Sequence, residues 1–214
     1  VDLSPAATFI AYNYNMPVDL EAFERDAQRI LREVEEECGW MYETWHPHCD
    51  DPDRVKGRIN YTVWSDVFIC PECGNEMVFW DAAVVKETGK VSRTFPCPQC
   101  QAEHTKRTLQ RSQEAMYDST MGKVLNRAKQ VPVLISYSVG KKRHKKTPDI
   151  IDLETISRVQ EGVIPFWYPI TRIDRDIDIW YERDYRSLGI YSVDAFFTKR
   201  NLSLIHISEP TRPY

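Results

Sequence analysis

The chain is 214 residues long, 42% hydrophobic and carries a formal net charge of −4, so it can build one sizeable core or two small ones. That acidic balance excludes a general attraction to nucleic acid and leaves any such affinity to local charge. No apolar run approaches the ~18 residues of a membrane span, no signal-peptide pattern opens the chain, and four of the six cysteines stand in metal-binding spacing, which together predict a reducing, cytoplasmic setting and no membrane partner.

Ser4-Pro5 reads as a helix start, with serine as N-cap and proline at the first helical position. Residues 6–14 are apolar on nearly every side, which predicts a short buried helix that Pro17 ends. Asp19 is expected to cap a second helix. Its apolar positions Leu20, Phe23, Ala27, Ile30, Leu31, Val34 and Cys38 form one stripe, with Gly39 as a C′ glycine. Cys38 completes that stripe and reads as a packing residue. His46-Pro47-His48-Cys49 offers ligating side chains, but the proline restricts them and no fourth ligand is evident, so it is not read as a metal site.

From Trp40 the pattern changes period. Residues 58–64 alternate apolar and polar, and Val67-Phe68-Ile69 leads directly into Cys70, predicting strands. Cys70-Pro71-Glu72-Cys73 and Cys97-Pro98-Gln99-Cys100 are two matching knuckles. A Cys-x-x-Cys pair lets two thiolates reach one ion from a tight turn, and two pairs complete a tetrahedral Zn²⁺ site. Disulfides or a redox motif are the alternatives. A redox motif needs no second copy, and nothing in the chain points to secretion. The stretch between Cys73 and Cys97 is a little longer than the usual ~15–20 residues, which suits a hairpin: residues 77–85 as a strand and 87–90 as its turn. The four cysteines are read as the ligands of a zinc ribbon. Gln101 stands where the first knuckle has Gly74, a position glutamine can occupy with some strain.

Beyond Cys100, residues 106–110 and 131–139 read as strands, with Gly140 opening a turn. Pro132 places the second of these at an edge or limits its pairing to its later part. The run Lys141-Lys142-Arg143-His144-Lys145-Lys146 is wholly basic, either a solvated turn or a contact for DNA phosphates. Residues 149–159 suggest a short helix, 164–169 an aromatic extended segment, and Ser192 the start of a helical pattern through Asn201.

Several of these stretches are similar to one family. Val1-Asp2-Leu3-Ser4-Pro5 and the remainder of residues 1–15 resemble the segment after the glycine-rich loop in bacterial and archaeal site-specific DNA methyltransferases that modify amino groups of adenine or cytosine. Cys38-Gly39-Trp40-Met41-Tyr42-Glu43-Thr44, residues 57–66, the two knuckles and Phe197-Thr198-Lys199-Arg200-Asn201-Leu202 are similar to further parts of that family, in order. The resemblance implies a Rossmann-like S-adenosylmethionine domain interrupted by a zinc-ribbon insertion, with DNA as partner. Asp2 would then take the acidic position that binds ribose hydroxyls. The glycine-rich loop would precede Val1 and the Pro-Pro-aromatic catalytic loop would follow Asn201, so no catalytic residue is expected in this chain. Ile164-Pro165-Phe166-Trp167-Tyr168-Pro169 lacks the Asp/Asn/Ser-Pro-Pro-Tyr/Phe arrangement.

Residues 202–214 resemble the translated frame of a sequencing-library adapter and are expected to lie outside the fold; the alternative is a genuine C-terminal strand and tail, since Leu204-Ile205-His206-Ile207 has some β-propensity. The expected fold is α+β: residues 1–38 as the edge of an α/β methyltransferase domain, 39–140 as a β-rich zinc-ribbon insertion, and 141–201 as the return to the core. The competing functional reading is a non-catalytic zinc-ribbon module that binds nucleic acid or a protein partner.

Overall fold

A computed structural model describes residues 4–47, 55–118, 121–164, 168–173 and 185–208. Asp2, His48, Cys49 and residues 165–167 lie outside the described residues. The described chain mixes helices with antiparallel strands, as an α+β fold requires.

Helix α1 (Pro5–Asn15) starts where the sequence places it: Ser4 Oγ accepts the Ala7 N–H at 3.4 Å and Pro5 occupies the first turn. It differs from expectation in its surroundings. No residue of α1 is buried, and Phe9, Ile10, Tyr12 and Tyr14 are each more than half exposed. An all-round apolar helix signals burial but does not say which element supplies the cover. Helix α2 (Leu20–Cys38) is capped by Asp19, whose Oδ1 accepts from the Glu21 and Ala22 N–H groups at 3.1 Å. Only Cys38 of its apolar stripe is buried, while Leu20, Phe23 and Leu31 face out. Gly39 is not a left-handed C′ cap. Its φ is −53°, and the chain tightens into a 3₁₀ turn, Gly39–Tyr42, instead of reversing.

Strand β1 (Glu43–Trp45) pairs with β2 (Lys56–Ile69), a strand of 14 residues. There follow β3 (Glu76–Val78), the short helix α3 (Phe79–Ala83), and the two-residue strands β4 (Val84–Val85), β5 (Lys90–Val91), β6 (Phe95–Pro96), β7 (Glu103–His104) and β8 (Gln110–Arg111). Two hairpins come next: β9 (Gln113–Asp118) with β10 (Lys123–Ala128), then β11 (Gln130–Val139) with β12 (Lys142–Lys146). Strand order is β1-β2-β11-β12, and the far end of β2 also pairs with β3 and β8. The domain boundary expected at residue 140 therefore coincides with the turn of a hairpin whose strands pair on both sides of it.

Each half of β2 serves its own core. Ile59 packs with Ile135 and Tyr137, while Phe68 packs with Met77, Ala83, Phe95 and the buried cysteines Cys70 and Cys97. Gly57 makes the first core possible, because a Cβ there would sit 2.4 Å from the Tyr137 ring. Pro132 lies outside the segment that pairs with β12, which begins at Ile135, and a register shift against β2 follows it.

Three expected elements change character. Residues 77–85 are not one strand: α3 interrupts them, because a helical turn brings Phe79, Ala82 and Ala83 to one side against the ribbon core. Phe79 there sits edge-on to Phe68 and Phe95, at 5.7 and 5.5 Å. A short apolar run cannot separate helix from strand by period alone. Residues 106–108 form a 3₁₀ turn with a capping box from Thr105, so only Gln110–Arg111 of that segment is strand. The expected helix from Ser192 splits into a 3₁₀ turn, Val193–Phe196, and a helix, Lys199–Ser208.

Helix α4 (Ile150–Glu161) has Asp149 as N-cap, as the sequence reads. The helix Lys199–Ser208 packs against α2 and α4, and its Leu202 and Ser203 are 4% and 8% exposed. Leu202 and Ser203 thus lie buried in a helix that runs to Ser208, within the residues expected to lie outside the fold. The adapter-like wording of those residues carried no information about burial.

Candidate metal centre

Cys70 follows β2 without an intervening loop, and Cys97 follows β6 in the same way. Each knuckle then closes by the same backbone bonds. The Cys70 N–H donates to Asn75 C=O at 2.9 Å and the Gly74 N–H to Cys70 C=O at 2.8 Å. Their counterparts run from Cys97 to Ala102 at 2.8 Å and from Gln101 to Cys97 at 2.9 Å. This turn needs a left-handed residue after the second cysteine. Gly74 supplies φ +72°, and Gln101 adopts +62°, the one non-glycine residue with positive φ among the described residues. The expected strain at Gln101 is therefore present in the backbone.

The two knuckles bring all four sulfurs within 4.8 Å of one another. Cys70 Sγ lies 3.7 Å from Cys100 Sγ, and Cys73 Sγ 3.8 Å from Cys97 Sγ. A tetrahedron of sulfurs at a Zn–S distance of ~2.3 Å has edges of roughly 3.8 Å, so the spacing suits a single metal ion. Disulfides are absent among the described cysteines. Burial pushes the Cys70 thiol up to about 12, against the pull of the Cys73 and Glu72 N–H groups, whereas the Asn75 N–H draws Cys73 down to about 7. The pull on Cys73 favours its thiolate, the form that ligates a metal.

His104 belongs to this centre and the sequence reading did not single it out. The β6–β7 hairpin sets it opposite Phe95. Its Nε2 lies 3.4 Å from Cys70 Sγ and 3.5 Å from a Glu72 carboxylate oxygen, with only 3% of the side chain exposed. From there the ring can donate a hydrogen bond to the Cys70 sulfur, the kind of outer contact that orients a metal ligand. Its signal in the sequence is slight: a histidine four residues past the last cysteine.

The other candidates disperse. The basic run is the turn at Gly140 and strand β12, and its last member points inward. Lys146 is buried, its Nζ 2.6 Å from Asp149, 2.8 Å from Asp152 and 3.1 Å from the Trp45 carbonyl. Burial lowers the Lys146 ammonium, but its bonds to the two aspartates outweigh that and hold it above its usual value. Lys146 is therefore no phosphate contact. His46 Nδ1 is 2.7 Å from the Tyr137 hydroxyl, in a ring cluster with His144. Lys199 Nζ donates to the Gln160 and Gly162 carbonyls, closing the end of α4. A cleft between β1 and α4, lined by Trp40, Thr44, Trp45 and Asp152, holds about 180 Å³. Its polar groups already bond to one another, Thr44 to Asp152 at 2.5 Å and Asp152 to Lys146.

Compared with protein-family models, with curated proteins and with solved structures, the chain finds no match.

Proposed function

We propose that this chain is part of an S-adenosylmethionine-dependent DNA amino-methyltransferase, in which Cys70, Cys73, Cys97 and Cys100 hold a structural Zn²⁺. The observation that carries this reading is the joining of two stretches, distant in sequence, that resemble the family. The 38–44 segment meets the 197–202 segment where the Tyr42 hydroxyl bonds Asn201 Oδ1 at 3.2 Å and the Arg200 guanidinium stands 5.2 Å from the Tyr42 ring. Helix α1 adds support. Its apolar, uncovered surface suits a helix laid on the sheet of a larger Rossmann-like domain.

In this reading Asp2 accepts hydrogen bonds from the ribose of the cofactor, and the target base leaves the DNA stack to meet it. The zinc fastens the ribbon core, and structural zinc sites contribute about 10–16 kcal/mol of folding free energy. Residues 1–214 hold neither the glycine-rich nor the Pro-Pro-aromatic loop, so the chain alone transfers no methyl group. A protein that carries both loops around this sequence does.

Radiolabelled methyl transfer to mixed-sequence DNA tests this, with cofactor binding measured in parallel. Asp2→Ala should weaken cofactor binding roughly ten- to a hundredfold. A loop-bearing protein that transfers nothing, or that binds cofactor normally with Asp2→Ala, refutes the methyltransferase reading and leaves a zinc-ribbon binding module.

A further inference from the structure

One face of the β2–β11–β12 sheet carries no part of the metal centre, and its side chains fall in register. Ser138 stands between Arg58 and Arg143, and Ser136 between Tyr61 and Lys145, so these six residues form two adjacent rows on one side. A bulge shapes the platform. Between Ser136 and Tyr137, β2 advances two residues while β11 advances one. That extra residue, Asn60, turns to the same side, where its amide bonds Ser138 Oγ at 3.0 Å. Tyr61 is left 51% exposed, while Ser136 beside it in the row is buried.

The charges on this face are unevenly committed. Arg58 pairs with Glu35, and neighbouring Glu43 with Lys56. Arg143 and Lys145 are exposed and have no ion-pair partner among the described residues. Cations on an edge strand discourage edge-to-edge pairing, and that accounts for their place on β12. It does not account for a half-exposed tyrosine ring set in the same row.

We propose that this face binds single-stranded nucleic acid, with a base stacked on Tyr61 and phosphates at Arg143 and Lys145. A base in a duplex has its faces covered by its neighbours, so an exposed tyrosine on a sheet face can take only an unpaired one. Tyr61 and Lys145 stand two strand spacings apart, roughly 10 Å, which leaves room for the sugar between a stacked base and its phosphate. The Asn60–Ser138 pair provides a polar floor beside the ring. The proposal shares with the methyltransferase reading the expectation that nucleic acid is the partner.

The test is fluorescence anisotropy of the whole chain with labelled oligothymidine and with a labelled duplex, across a series of salt concentrations. Oligothymidine should bind more tightly than the duplex. Tyr61→Ala should weaken that binding roughly 5- to 100-fold, and Tyr61→Phe should retain it. Arg143→Gln and Lys145→Gln should each lower the log-salt slope by about 0.7. Preference for the duplex, or a folded Tyr61→Ala chain that binds like the native one, overturns the platform. If Tyr61→Ala fails to fold, the two glutamine variants decide alone, and an unchanged slope overturns it. None of these substitutions touches Asp2, so failure here leaves cofactor capture standing, and failure of methyl transfer leaves this face standing.

Discussion

Replacing Lys146 by alanine is the sharpest test of the packing described here, because sequence alone makes it look harmless. Its side chain is 5% exposed and that of Asp152 is 4% exposed. Removing the ammonium leaves one buried carboxylate and a second, Asp149, beside it without the cation both of them bond. Breaking a buried pair from one side costs about 3–5 kcal/mol. The value should fall in the lower half of that range, because Asp149 is 42% exposed and Asp152 keeps its bond from Thr44. Lys146→Ala should therefore lower urea-unfolding stability by about 3–4 kcal/mol, whereas Lys145→Ala one residue away should change it by less than about 0.5.

The pH dependence follows from the same contacts. The Lys146 ammonium is held above its ordinary value, so its contribution is complete below about pH 10 and fades as pH rises through the folded value. Burial pushes the Asp149 carboxyl up, but Lys146 beside it prevails and holds it below the usual range. That contribution is present above about pH 4 and is lost as pH falls through the depressed value. The native-minus-variant difference should form a plateau between those limits and shrink on both sides. A Lys146→Ala chain as stable as the Lys145→Ala chain at pH 7 would refute the buried cluster.

Three further outcomes are expected. Purified protein should contain one Zn²⁺ per chain, and Cys97→Ser should abolish it by metal analysis, while chelation unfolds the ribbon core. Gly189 has φ +74°, and a Cβ there would meet the Asn126 carbonyl at 2.6 Å, so Gly189→Ala should cost about 2–4 kcal/mol in urea unfolding. Gly140→Ala, with φ +58° and open space around it, should cost only about 1–2. Leu202→Ala should lower stability by about 2–4 kcal/mol, since the side chain is 4% exposed; an unchanged melting temperature would restore the view that residues from 202 onward lie outside the fold.

What the sequence disclosed was local chemistry. The four cysteines were legible because coordination demands those residue types at that spacing, and the gathering of their sulfurs follows from two matching turns. Ser4, Asp19 and Asp149 were legible as caps because a side-chain oxygen next to orphan N–H groups has few other uses. Lys146 was not, because a lysine in a basic run carries no mark of facing inward. Two aspartates on the following turn and helix decide that. His104 escaped for a related reason: its neighbour is Cys70, 34 positions away, and only the folded hairpin brings them together. The α3 turn was hidden by a run of apolar residues that suits either period.

Strand β2 runs unbroken from Lys56 to Ile69, and the next residue is the first cysteine. A chain that passes from sheet to ligand with no loop between them has no hinge there, so the ribbon cannot swing as a pendant. One continuous strand carries Ile59 in one core and Phe68 in the other. The two cores should therefore open together, as a single cooperative unit. Amide hydrogen exchange at Ile59 and Val63, eleven and seven residues before Cys70, should then respond to adding or removing Zn²⁺ at the cysteine cluster.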